Sequence, residues 1–267
     1  MHRGFNLTLG PERCALSMLQ GKFLDAGRKL FESQRTTVAS EIETYTNQKG
    51  VIDGGKLQGN WFPEIGADVF VSHSHADTEK ALALAGWLNE EFKLSAFVDS
   101  AVWRYGDDLI RRIDKRYCYD ANTETYRYKQ RNKTTAHVHM MLVTALAKMI
   151  DRTECLVFLN TPMSATAEDA TSTTHSPWLF AELTIAETTR RKPTGRANKY
   201  ASLGQNFGAG LAEAAQFSYP IDRQLAVLAK LDSDGLSRWR RSLKNDSANR
   251  HPLDLLYEST AAKGVER

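Results

Sequence analysis

An α/β fold, a parallel sheet with helices on both faces, is predicted by three features of the middle of this chain. Short apolar runs rich in β-branched residues occur at 68–72, 95–99 and 155–159. Between them lie segments whose apolar residues recur at helical spacing, such as Ala81, Leu84, Ala85, Leu88 and Phe92. Strand and helix alternate, which is the signature of parallel strands joined by helical crossovers. In such a sheet ligands bind beyond the carboxyl ends of the strands. The loops at 72–77, 99–107 and 160–176 are therefore expected to surround one crevice.

In chain order, residues 11–47 read as helical, with Leu16, Leu19, Phe23, Leu30 and Val38 among polar residues. Gly50, Gly54, Gly55, Gly59 and Gly66, with Pro63, mark a loop taken as a domain boundary. Trp61 and Phe62 are expected to pin that loop to the core. The first strand, 68–72, is followed by a helix over 78–92, a strand over 95–99 and a helix over 107–117. Val138, Met141, Leu142, Ala145 and Met149 form another helical stripe, ahead of the strand at 155–159 and a helix over 177–191. Pro220 confines 217–221 to a short edge strand, and Leu225, Leu228 and Leu231 suggest a helix. The division expected is a helical extension and Gly-rich linker at 1–66, the main domain at 67–235, and a tail at 236–267 that packs on the domain or extends from it.

Composition excludes several classes. Apolar residues make up 42% and charged residues 25%, ordinary for a soluble protein. With 35 Lys and Arg against 32 Asp and Glu, a net charge of +3 gives no expectation of nucleic acid binding. The three cysteines, Cys14, Cys118 and Cys155, form no Cys-x-x-Cys pair, and a reduced, cytoplasmic protein is expected. No signal peptide is apparent, and the apolar run at 140–150 is too short to span a membrane. His137 and His139 are two apart on a helix and point to different sides, so no metal is expected there with Cys118. The loop at 72–77 contains no glycine, which argues against a dinucleotide fingerprint or a P-loop. No Gly-x-Ser-x-Gly elbow occurs either. Arg127, Lys129, Arg131 and Lys133, interleaved with Tyr126 and Tyr128, read as a solvated insertion or an assembly surface.

The residues richest in chemistry are Trp178 and Glu182, in Ser176-Pro177-Trp178-Leu179-Phe180-Ala181-Glu182-Leu183. Ser176 as N-cap and Pro177 at the first helical position fix the helix start. The indole and the carboxylate then lie one turn apart on one side. Together they suit a cationic ring, stacked on Trp178, and the sugar attached to it. The same spacing also describes a core anchor beside a solvated edge. His73, Ser74 and His75 are candidates for lining the crevice, or are satisfied loop residues. Asp99 suits a ligand contact or a turn cap. Asp107 is expected to cap the helix starting at Asp108.

Four segments, in order, resemble the boxes of bacterial Toll/interleukin-1 receptor (TIR) domains. They are Asp68-Val69-Phe70-Val71-Ser72-His73-Ser74, then Asp99-x-x-x-Trp103-x-x-Gly106-Asp107-x-Leu109, then Leu156-Val157-Phe158-Leu159-Asn160, and Ser176-x-Trp178-x-x-x-Glu182-Leu183. The resemblance covers residues 67–191, about half the chain. It implies a flavodoxin-like TIR fold with a central parallel sheet flanked by helices. Two departures accompany it. The stretch at about 117–136 is longer than usual and reads as an insertion before the third strand, and the last two of the family's five strands are not evident after Arg191.

The resemblance implies an NAD⁺ glycohydrolase or cyclase of bacterial antiviral immune signalling. Glu182 would be catalytic, with Trp178, Ser72, His73, Ser74, Asp99, Trp103 and Tyr105 around the substrate. No cofactor is implied beyond NAD⁺ as substrate, and the implied partners are other copies of the TIR domain and a downstream effector protein. The alternative is a non-catalytic TIR scaffold that mediates protein–protein interaction. A nucleoside deoxyribosyltransferase-like enzyme, which shares a glutamate and a similar fold, is a third possibility.

Overall fold

Phe5 and Leu7, near the start of the chain, belong to the buried core of the main sheet. The computed structural model describes residues 1–9, 21–35, 42–98, 100–168, 171–194 and 218–260. For 33–35, 42, 43, 101–105, 167, 168 and 171 the description is of the backbone. The first half of the chain forms Arg3–Thr8 (β1), Lys22–Arg35 (α1), Gly54–Trp61 (α2), Val69–Ser72 (β2), Thr78–Phe92 (α3), Ala96–Val98 (β3) and Ser100–Ile113 (α4). A hairpin of Tyr119–Asp120 (β4) and Thr125–Tyr126 (β5) leads into Tyr128–Arg152 (α5) and Cys155–Asn160 (β6). Then come Thr166–Glu168 (β7), Thr171–Thr174 (β8), Pro177–Thr188 (α6), Tyr219–Pro220 (β9), Asp222–Ala226 (α7), Ala229–Asp232 (β10), Ser233–Lys244 (α8) and Pro252–Ser259 (α9).

The main sheet has five strands in the order β10-β1-β6-β2-β3, every pair parallel. From the β3 edge this is the spatial order of a flavodoxin-like sheet, with one difference. The fourth place is filled by β1, from the start of the chain, rather than by a strand following β6. Residues expected to form part of a helical extension thus lie inside the sheet, paired with β6 from Arg3↔Cys155 to Thr8↔Asn160. The pairing follows from a period-2 pattern: Phe5 and Leu7 enter the core on one face while Gly4 and Asn6 lie on the other. A Cβ at Gly4 would meet Leu228 Cδ2 at 2.4 Å, so the Leu228 side chain packs into the space that the glycine leaves.

Alternation builds a core on each side of the sheet. Val69, Val71, Cys155, Val157 and Leu159 face a layer that includes α3, α8 and α9. Phe70, Leu156 and Phe158 face a layer that includes α4, α5 and α6. Outside α3 lies α1, and here the two helices touch backbone to backbone. A Cβ on Gly27 would stand 1.8 Å from the Leu82 carbonyl oxygen. The tail packs on the domain. Phe92 stacks on Trp239 with ring centres 3.9 Å apart, and the Trp239 indole donates to the Pro252 carbonyl at 2.7 Å.

Three further expectations are corrected. Helix α4 begins at Ser100, not at residue 107, so Trp103 and Tyr105 lie on a helix rather than in a loop, and Asp107 is within the helix rather than its cap. Gly106, within the loop expected at 99–107, is buried mid-helix, where a Cβ would sit 3.6 Å from Leu142. Tertiary packing against α5 overrides the poor helix propensity of glycine. Next, the stretch holding Leu225, Leu228 and Leu231 is a short helix and then β10. Only Leu231 of that four-residue strand is buried, too little for alternation to be visible. Last, the Gly-rich stretch expected as a loop contains the helix α2, Gly54–Trp61, whose start is capped by the Asp53 side chain accepting from the Lys56 amide. The insertion at 117–136 is the β4–β5 hairpin plus the exposed start of α5. Its basic residues are partly neutralised, Arg127 by Asp120 and Arg131 by Asp114. Asp99 and residues 11–20 and 36–41 lie outside the described residues. Among those described, no helix is long and apolar enough to cross a membrane.

Candidate functional site

The chain runs from β2 through α3 to β3 on one side, then returns through α4 and α5 to β6 on the other side of β2. The carboxyl ends of β2 and β6 therefore flank the point at which the winding reverses, where open α/β sheets bind ligands. Ser72 ends β2 and lies on the α6 side of the sheet, and Ser176 starts α6. The Ser176 hydroxyl accepts from the Leu179 amide at 3.3 Å, with Pro177 in the first turn. That cap sets α6 so that Glu182 reaches Ser72, whose hydroxyl donates to Glu182 Oε2 at 2.6 Å. Both residues are 0% exposed.

Above this pair the loops after β2 and β6 are tied together. The Thr161 hydroxyl donates to Asp77, and Lys80 holds the other oxygen of that carboxylate at 2.6 Å. Thr161 is itself fixed by a bond from its amide to Ser164 Oγ at 2.8 Å. A buried carboxylate with a hydroxyl and an ammonium as partners is a stable clamp, since desolvation is offset by charge-assisted bonds. Asp77 thus has a structural place at the mouth of the crevice.

A cleft of about 980 Å³ opens there, lined by His73, His75, Ser176, Trp178, Leu179 and, from α4, Ser100 and Asp107. Its opposite wall is α1, through Arg28, Phe31 and Glu32, with Thr78, Glu79 and Leu82 of α3. The expected site residues are thereby divided. His73 and Trp178 line the cleft; Ser72 and Glu182 are wholly buried beside their cleft-lining neighbours His73 and Leu179. Ser74 is half-buried at the start of the turn into α3. The side chains of Trp103 and Tyr105 lie outside the described residues.

Sequence reasoning missed the α1 wall, because nothing in a single amphipathic helix says which helix it packs on. It also missed His139, whose ring meets the Trp178 indole edge-on at 5.1 Å. Burial lowers the His139 pKa, and the charge of Asp107 opposes the shift. Because the folded value lies below the ordinary 6.5, the unfolded chain takes up a proton first as pH falls. Stability present at neutral pH is accordingly lost as pH drops below 6.5, down to the folded value. Thermal unfolding between about pH 7.5 and 5.5 should show this decline, and His139→Gln should flatten it. Equal slopes for the two proteins would refute the assignment.

One group among the described residues has a donor set for a metal: Glu154, His251 and Asp254, with ligand atoms within 4.8 Å of one another. It lies beside the amino end of β6, away from the cleft. There the Tyr257 hydroxyl donates to Glu154 at 3.1 Å, and His251 caps α9. Compared with protein-family models, curated proteins and solved structures, the chain matches none.

Proposed function

We propose that this is a TIR-like enzyme that cleaves the nicotinamide–ribose bond of NAD⁺. The products are nicotinamide and ADP-ribose or a cyclic isomer of it. The observation that carries the reading is the Ser72–Glu182 pair at the switch point of the sheet, one helical turn from Trp178 in the cleft wall. The bond between C1′ and the ring nitrogen breaks with its electron pair going to the pyridinium, which leaves neutral. No general acid is needed. Positive charge develops on the ribose, and a carboxylate such as Glu182, oriented by Ser72, stabilises it. Water, or a nucleophile within the same molecule, then adds to C1′ and loses a proton.

Because Glu182 is fully buried, substrate reaches it only after the residues that cover it shift. The resemblance adds a setting: bacterial antiviral immune signalling, self-association through this domain, and a downstream effector. The buried free thiols of Cys118 and Cys155 suit a reducing cytoplasm. Purified protein incubated with NAD⁺ across low to high micromolar enzyme should release nicotinamide, measured chromatographically. Trp178→Ala should weaken that release by about tenfold through lost stacking.

The same burial favours a second reading, a non-catalytic interaction scaffold, in which Glu182 and Ser72 merely join α6 to the sheet. That reading requires no nicotinamide release at any enzyme concentration.

A further inference from the structure

We infer that the β4–β5 hairpin and the first turn of α5 form a platform for single-stranded nucleic acid. Unpaired bases stack on Tyr119, Tyr126 and Tyr128, and phosphates meet the Lys and Arg side chains of the same stretch. The inference is independent of the cleft chemistry, because the hairpin takes no part in lining the cleft.

Two concentrations on the surface point to it. Among the described residues, these three tyrosines are the exposed aromatic side chains, at 44%, 44% and 76% exposure. Positive charge gathers in the same part of the chain. Residues 111–133 carry eight Lys and Arg against three Asp and Glu, whereas the whole chain has a net charge of +3. The remainder of the protein is therefore slightly acidic, and the small overall charge conceals a basic segment.

Local bonds hold the rings in place. Asp120 accepts from the Asn122 amide at 3.0 Å and from Arg127 Nε at 3.2 Å, and the Arg127 amide donates to the Cys118 carbonyl at 2.8 Å. Across the two strands Tyr119 and Tyr126 meet edge-on, with ring centres 5.4 Å apart. The Arg131 guanidinium lies 5.6 Å from the Tyr126 ring centre. Arg127 and Arg131 are paired with Asp120 and Asp114, yet each keeps 56% of its side chain exposed. Rings and cations fixed in advance lower the ordering cost of binding.

The chemistry favours nucleic acid over an acidic protein. Protein interfaces are built around an apolar core, but residues 119–137 contain no Val, Ile, Leu, Met, Phe or Trp. Aromatic faces interleaved with cations match a single strand, whose bases present π-faces and whose backbone presents phosphates. A duplex keeps its bases stacked on one another and offers this surface its phosphates alone.

The test is fluorescence anisotropy of a labelled oligouridine of about 12 nucleotides, titrated with the full chain. Affinity should fall by about tenfold or more between about 50 and 200 mM salt. Tyr128→Leu should weaken binding about tenfold with the salt slope unchanged, whereas Arg127→Gln should lower that slope by about 0.7. Both side chains are mostly exposed, and circular dichroism would verify that the variants fold. A duplex of the same length and polyglutamate should each bind at least about tenfold more weakly than oligouridine. Absence of binding at the lower salt, or a Tyr128→Leu protein that binds as the parent does, overturns the inference. Equal binding of the duplex or of polyglutamate overturns it too, by showing a surface for polyanions or acidic proteins in general.

Discussion

Gly86→Ala should destabilise the protein by about 3 kcal/mol or strip α1 from α3. A Cβ at Gly86 would stand 1.9 Å from the Phe23 carbonyl oxygen and 2.7 Å from the Gly27 nitrogen. Both neighbours are backbone, so no side chain can rotate away and the helices must separate. Alanine in an unobstructed helix gains about 1 kcal/mol over glycine; separating this interface costs more, because Phe23 and the partly buried Leu24 and Phe31 lose packing together. The Arg28–Glu79 pair and the α1 wall of the cleft would move with it. Chemical denaturation measures the loss, and proteolysis within α1 reports local release. Gly59→Ala is the control, since nothing lies within 4 Å of a Cβ there, and it should be neutral or stabilising. A Gly86→Ala protein as stable as the parent would show that the two helices are not in backbone contact.

Glu182→Gln should abolish nicotinamide release, by about a thousandfold or more, while leaving the fold nearly intact. The amide keeps an acceptor for the Ser72 hydroxyl, whose bond to Glu182 is 2.6 Å long, but carries no charge to steady a ribosyl cation. Glu182→Ala should lose the same activity and also cost about 2–4 kcal/mol, because it leaves a cavity and a buried hydroxyl without its acceptor. The contrast separates chemistry from architecture. If Glu182 only anchors α6, the Gln variant behaves as the parent in every assay and only the Ala variant suffers. Glu187, on the same helix, pairs with Arg223 at 2.5 Å. Its replacement by alanine should leave turnover unchanged and cost less than about 1 kcal/mol.

The central α/β unit was legible because its periods are long and clean. The stripe Ala81, Leu84, Ala85, Leu88 and Phe92 predicts a helix over 78–92, and α3 spans those residues. Ser176 and Pro177 predict the start of α6, where the cap bond is found. Elements that depend on distant partners were not legible. Gly106 falls in the stretch expected as a loop at 99–107, yet it is helical where α4 packs against Leu142 of α5. In β10 a single buried leucine carries no period at all.

Within the candidate site, sequence brought Trp178, Glu182, Ser72 and His73 to one strand-end region, because each follows a recognisable strand or begins a capped helix. It could not bring Arg28, Phe31 and His139 there, since their approach depends on helix–helix packing.

The sequence by itself therefore determined the local pieces: the β2, β3 and β6 strands, the α3 helix, and the capped start of α6 with its indole and carboxylate. Only the tertiary structure decided that β1, from the start of the chain, would pair between β6 and β10, and that α1 would close the cleft. The physical reason is range. Caps and apolar periods act over one or two turns of chain. Strand order and backbone contact between Gly27 and Gly86 arise from burying apolar faces against partners tens to hundreds of residues away, which no local pattern specifies.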